Sequence, residues 1–320
     1  MRFGSRQRSN SARRLWGRQI VCMFRYMLDH RGEMNMHSRG QCLPLFARPF
    51  AWMVLSALAL GFDTPTALAA QDDCGSQGAA IVKNAYPAAQ EIPDQGFEVD
   101  GATIKVSASA DDDPHAVVCR VWPARPEFTL VAVPLMTRQS DDSNEGDLEL
   151  LVVDSSDSAV RQRLRLPHLM NDDALYISSI AFDTARYRLA PGNMAFGLRV
   201  SLRGSSRPNP FGETTLWLFR IDDKERLAPV LDSLIVSSNQ GEWDTNCAGE
   251  FHTTERTLSM VPSAGNAIAD IVVDETNTTT ISKPDKDGTC TDTGTESSNS
   301  YRLHYEASAY RAPEGLKRPE

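Results

Sequence analysis

The chain has 320 residues, of which 41% are hydrophobic and 23% charged, and its formal net charge is −9. Residues 1–70 carry 10 of the 33 basic and 3 of the 42 acidic residues, which leaves 23 basic against 39 acidic in the remainder, a net charge of −16. That field repels a polyanion and argues against nucleic-acid binding, whereas a cation or a basic protein is attracted.

The first element in chain order is an export leader. Residues 1–31 are rich in arginine and show no clean apolar pattern. Arg48 gives a positive flank, 51–62 (AWMVLSALALGF) is an uncharged apolar core, and Ala67-Leu68-Ala69 places small residues where a signal peptidase cleaves. The apolar run is shorter than the roughly 20 residues a membrane-spanning helix needs. Residues 1–69 therefore read as a leader, with Ala70 or Gln71 as the new N-terminus and a periplasmic or secreted product. A signal of ordinary length starts at Met34 or Met36, so the residues before 34 read as a mis-assigned start. Asp72-Asp73 stand before Cys74 in place of the small residues of a lipoprotein signal, and no stable membrane anchor is expected.

Cysteine usage points to the same compartment. Beyond the leader the chain keeps Cys74, Cys119, Cys247 and Cys290, an even number consistent with two disulfides in an oxidising environment. Each of the pairs Cys74–Cys119 and Cys247–Cys290 brackets one local segment, which favours that connectivity among the three possible.

About 250 residues remain, enough for one large domain or two small ones. A short helix is expected near 79–89. After it the pattern alternates strongly. Val160 to Leu166 puts Arg161, Arg163 and Arg165 on one face, and 198–203 and 301–306 repeat the scheme, as strands with one wet face do. Segments 148–153 and 216–221 are apolar on both faces and read as central strands. Further strands are expected at 102–107, 115–122, 128–135, 175–183, 230–237, 255–261, 267–274 and 277–282. Turn residues such as Asp154-Ser155-Ser156-Asp157-Ser158 and Pro191-Gly192-Asn193 separate them.

The fold class is thus all-β: an antiparallel β-sandwich or meander over 70–310, with a small β-propeller as the alternative. The polar stretch 283–300 reads as a surface loop pinned by Cys290, and 311–320 as a loose tail.

No nucleophile elbow, zinc-binding helix, phosphate loop or dinucleotide fingerprint occurs. The acidic run from Asp141 to Asp147 fails as an EF-hand, because its twelfth position is Val152. His304 falls on the polar face of its strand and reads as solvated, and none of His115, His168, His252 and His304 has a partner at metal-ligand spacing. No metal or cofactor is expected.

The densest polar cluster is the segment Gly241 to His252. The plainest reading is a disulfide-tethered loop whose polar residues cap turns. The functional reading is a binding face of Glu242, Trp243, Asp244, Glu250, Phe251 and His252, with the aromatics as anchors for an envelope or secreted protein partner. The alternative is a hydrolase of an envelope polymer using Glu242, Asp244, Glu250 and His252. A non-enzymatic binding or inhibitor-type module is the better expectation, since no nucleophile, base and orienting group can be assigned from the spacing.

Overall fold

The computed structural model describes residues 74–93, 96–106, 113–222, 224–265 and 267–318. The expected leader, 1–69 with its core at 51–62, lies outside the described residues. The chain enters through a 3-10 turn, Gly75–Gln77, that runs into α1, Gly78–Ala85. The helix stops short of the expected residue 89. Tyr86 leaves helical geometry (φ −129, ψ 77), as a residue before proline prefers to do, and Pro87 follows.

The first sheet contains β1 (Gln90–Ile92), β2 (Gly96–Val99), β3 (Ala102–Ile104), β4 (Val118–Val121), β5 (Phe128–Gln139), β6 (Asn144–Asp154) and β7 (Val160–Leu166). Its order is β1-β2-β3-β5-β6-β7, with β4 also paired to β5. The second sheet contains β8 (Leu175–Ala190), β9 (Asn193–Gly204), β10 (Phe211–Ile221), β11 (Leu227–Trp243), β12 (Gly249–Val261), β13 (Asp270–Pro284) and β14 (Cys290–Leu303), an antiparallel meander in sequence order. A small hairpin, β15 (Tyr305–Glu306) and β16 (Ala309–Tyr310), follows. Strands gathered into two seven-stranded sheets make a sandwich of meanders and set the propeller aside, because blades are four-stranded.

Alternation along the strands divides the apolar residues among three cores. On β5 and β6, Leu130, Ala132, Leu148, Leu150 and Val152 face the second sheet and pack with Phe182, Phe196, Leu198 and Val200. Their neighbours Val131, Val133, Leu135, Leu151 and Val153 point the other way, onto Ile81 and Val82 of α1. Both faces of these strands are therefore buried, which is why their sequence is apolar on both faces over most of its length, with Thr129 and Glu149 as buried exceptions. The Cys74–Cys119 disulfide lies in this helix-side core.

The third core forms within the second sheet. β11 and β12 pair only from Ser237↔Glu255 to Trp243↔Gly249. Beyond Glu255 the two strands part, and Leu258 and Met260 join Ile271, Val273 and Leu303 over Leu216, Leu218, Leu231 and Leu234. Tyr310, Ala312 and Leu316 complete this core.

Several sequence expectations change here. The stretch 283–300 is not a loop: β13 runs to Pro284 and β14 starts at Cys290, so only the turn between them is irregular. Its threonines and serines pair in an unbroken ladder, but every residue from Cys290 to Ser300 is exposed. Apolar alternation cannot mark a strand when neither face is buried. The segments 267–274 and 277–282 form one strand, β13. The segment Gly241 to His252 is two strand ends and a turn. Residues 312–318 are held, with Ala312 and Leu316 buried and Leu234 bridged to Lys317; two apolar side chains in a polar segment suffice to dock it. The arginines of β7 lie on the wet face as expected, where Arg161 and Arg165 pair with Asp154 and Asp147.

Candidate functional site

Past the third core, the ends of β11 to β14 continue as a sheet whose side chains are mostly half-buried or exposed. The disulfide Cys247–Cys290, with Cα atoms 5.7 Å apart, ties the β11–β12 turn to the first residue of β14. Asp244 builds that turn. Its Oδ1 accepts the backbone N–H of Cys247 at 2.7 Å and of Asn246 at 2.9 Å, and its own N–H donates to the Ala248 carbonyl at 2.8 Å. Those amide hydrogen bonds, Cys247 first, hold the Asp244 carboxyl below its ordinary pKa. Asp244 thus shapes the turn, as Asx residues do.

The six residues expected to form one binding face do not share a face. Glu242 stands opposite Glu250 and Gln240 opposite His252, while Gly241 stands opposite Phe251 and Trp243 opposite Gly249. Directly paired residues share a side of the sheet and successive residues alternate. Glu242, Glu250 and His252 therefore lie on one side, and Trp243 and Phe251 on the other.

On the aromatic side the ring centroids are 6.3 Å apart in a tilted arrangement. The Phe251 ring lies over Gly241 of the neighbouring strand, and the base of the Trp243 side chain sits against Gly249. A Cβ at Gly241 would come within 2.5 Å of the Phe251 ring, and one at Gly249 within 2.4 Å of the Trp243 Cβ. The Trp243 Nε1 donates to the Arg207 carbonyl at 2.7 Å, which fixes the indole against the β9–β10 connection. Both aromatics are half-buried.

On the opposite side, His252 lies between Glu250, 3.3 Å from its Nε2, and the Thr279 hydroxyl, 3.1 Å from its Nδ1. Glu242, Glu250 and His252 are all exposed.

Two polar clusters were not foreseen. Arg256 and Glu275, opposite each other on β12 and β13, pair at 2.7 Å almost out of water. Asn277 and Asn299 also donate to the Glu275 carboxylate. Burial pushes this carboxyl up, but hydrogen bonds from Asn299, Asn277 and Arg256 outweigh it and leave the pKa lowered. The second cluster lines a cavity of about 640 Å³ at the other end of β13, whose walls include Ser263, Asp270, Arg302, His304 and Glu306. The buried Asp270 Oδ2 is 3.2 Å from Arg302 Nη1 and 3.1 Å from His304 Nδ1. Burial raises the Asp270 carboxyl, and hydrogen bonds with Arg302, His304 and Ser263 bring it below the ordinary range. The sequence clue was the spacing of Arg302 and His304 on one strand face; the aspartate they meet is more than 30 positions away and could not be paired with them by spacing.

Among the described residues, no three His, Cys, Asp or Glu gather into a group that could hold a metal ion, and no helix is long and apolar enough to cross a membrane. No protein-family model matches the chain, and no curated protein or solved structure is significantly similar to it.

Proposed function

We propose that this chain is an exported, non-enzymatic protein of the cell envelope or its surroundings, and that it recognises another protein through the end of its second sheet. Export is supported by the leader pattern at 48–69 and by the two disulfides, which persist in oxidising compartments. The observation that carries the recognition reading is the Trp243–Phe251 pair. Two half-buried aromatics are fixed by a glycine seat, a hydrogen bond to Arg207 and the neighbouring disulfide. Rigid aromatic surface of this kind loses little entropy when a partner covers it, and such residues are the usual anchors of protein interfaces. The acidic character of the chain beyond residue 70 favours a basic partner.

The test is capture from an envelope extract with the purified protein and its variants. Trp243→Ala should weaken capture by about 2 kcal/mol or more, as loss of an interface anchor does. Glu242→Gln and Glu250→Gln, on the opposite side of the sheet, should change it by roughly 0–1 kcal/mol. Capture that survives Trp243→Ala intact defeats the recognition reading. Hydrolysis of an envelope glycan that is abolished by Glu250→Gln replaces it with the hydrolase.

A further inference from the structure

We propose that β14 is a self-association edge, along which two copies of this chain pair antiparallel about a two-fold axis at Ser297. This inference is independent of the recognition surface proposed above.

β14 is the last strand in the order of the second sheet, and among the described residues no strand pairs with its outer side. Its inner side is bonded to β13 without a register shift from Ile271↔Leu303 to Pro284↔Cys290. A straight, regular edge presents a row of backbone donors and acceptors to another strand. Proteins commonly blunt such edges with proline, charged side chains (lysine above all), a bulge or a very short strand. β14 contains no proline and no lysine, and it runs for 14 residues. Threonine and serine dominate it, and threonine favours the extended backbone. The disulfide at Cys290 ties down its first residue.

The charges on this strand select the occupant. It carries Asp292, Glu296 and Arg302. In a two-fold antiparallel pair, the residues facing each other are those equally far from the axis on the two copies. An axis at Ser297 sets Asp292 opposite Arg302 of the second copy, twice by symmetry, and sets Glu296 opposite Ser298; Arg302 holds Asp270 of its own chain at 3.2 Å and, half-exposed, would bridge the two carboxylates. An axis at Asp292 or at Glu296 sets one of these carboxylates against itself, and an axis at Gly294 sets Asp292 against Glu296. An axis at Asn299 pairs Glu296 with Arg302 but leaves the first part of the strand overhanging. Opposite charges directly across a sheet stabilise the pair and like charges oppose it. The register at Ser297 thus combines nearly the full strand with two ion pairs, and the acidic residues work against the competing registers. On the other face, Thr293 meets Tyr301 of the second copy and Thr295 meets Asn299. The result is one continuous sheet through both molecules, an isologous interface of the kind most homodimers use.

The experiment is sedimentation equilibrium of the purified full chain and of single variants, with an oxidative cross-linking arm. The wild type should sediment as a concentration-dependent dimer. Asp292→Arg turns two attractive pairs into two repulsive ones and should raise the dimer dissociation constant about tenfold. Ser297 is the one strand position that faces its own copy, so Ser297→Cys should form an intermolecular disulfide under mild oxidation, whereas Thr293→Cys should not. A chain that is monomeric up to millimolar concentration overturns the proposal. So does a dimer indifferent to Asp292→Arg, or one that cross-links through Thr293→Cys as readily as through Ser297→Cys. A variant that misfolds is recognised by its circular dichroism, and the cross-linking pair, placed on the exposed part of β14, then decides.

Discussion

Arg256 and Glu275 face each other across β12 and β13 with their side chains only 8% and 5% exposed, and the guanidinium also donates to the Ile235 carbonyl at 2.7 Å. They lie where the apolar third core gives way to the polar end of the sheet. Removing one partner strands the other charge out of water. Arg256→Ala should therefore lower stability by about 3–5 kcal/mol, the usual cost of breaking a buried pair. Equilibrium denaturation in urea measures it; a loss below about 1 kcal/mol would mean that Glu275 is solvated.

Acid should weaken the fold in a defined direction. Glu275 and Asp270 have pKa values lowered by their hydrogen-bond partners against the effect of burial, and Asp113 is lowered by its hydrogen bonds with His115 and with Lys105. A carboxyl whose folded pKa lies below its unfolded value, near about 4 for these groups, stabilises the fold at any pH above that unfolded value. The contribution is lost as pH falls through the folded pKa. Unfolding free energy should stay level down to about pH 5 and then decline. Glu275→Gln should lower the neutral plateau and flatten the acid limb, which denaturant titrations at a series of pH values would resolve.

The two disulfides should differ in what they protect. Cys74 and Cys119 are buried in the helix-side core, whereas Cys290 is exposed at the end of the second sheet. Each encloses a similar length of chain, with separations of 45 and 43 residues. Breaking either should cost about 2–5 kcal/mol by the unfolded-state argument. Cys74→Ser with Cys119→Ser should lower the global melting temperature. Cys247→Ser with Cys290→Ser should in addition raise amide hydrogen exchange locally, around 244–250 and 284–292. Equal exchange in both variants at those segments would refute this division.

The C-terminal segment should contribute to stability. Leu316 is 3% exposed within the third core. Leu316→Ala should cost about 2–5 kcal/mol, as leucine truncation in a packed core does. A loose tail would leave the melting temperature unchanged.

The proposed export makes one further outcome checkable. The protein recovered from its native compartment should begin at Ala70 or Gln71, as the small residues of Ala67-Leu68-Ala69 require. N-terminal sequencing decides this, and recovery of residues before Ala67 would defeat the cleavage site.

What the sequence by itself determined is whatever one face of one element records. The alternation around Arg161, Arg163 and Arg165 marks β7 because its wet face keeps its charges, and the apolar residues at 148–153, interrupted by Glu149 alone, mark β6 as buried on both sides. The bracketing of short segments by cysteines gave the pairing that the fold closes. The tertiary structure alone decided the rest, because it depends on register and on what covers a face. β14 has no apolar pattern, since neither of its faces is buried along most of its length, and only its ladder with β13 makes it a strand. The residues from Glu242 to His252 look like one cluster in sequence, yet the two-residue period of the strands sends Trp243 and Phe251 to one side of the sheet and Glu242, Glu250 and His252 to the other. Arg256 and Glu275 are brought together by the pairing of β12 with β13, and Asp270 with His304 by the return of β14 along β13. Spacing along the chain carries no trace of such partners, because a cross-strand contact is set by where the turn falls and how the ladder registers.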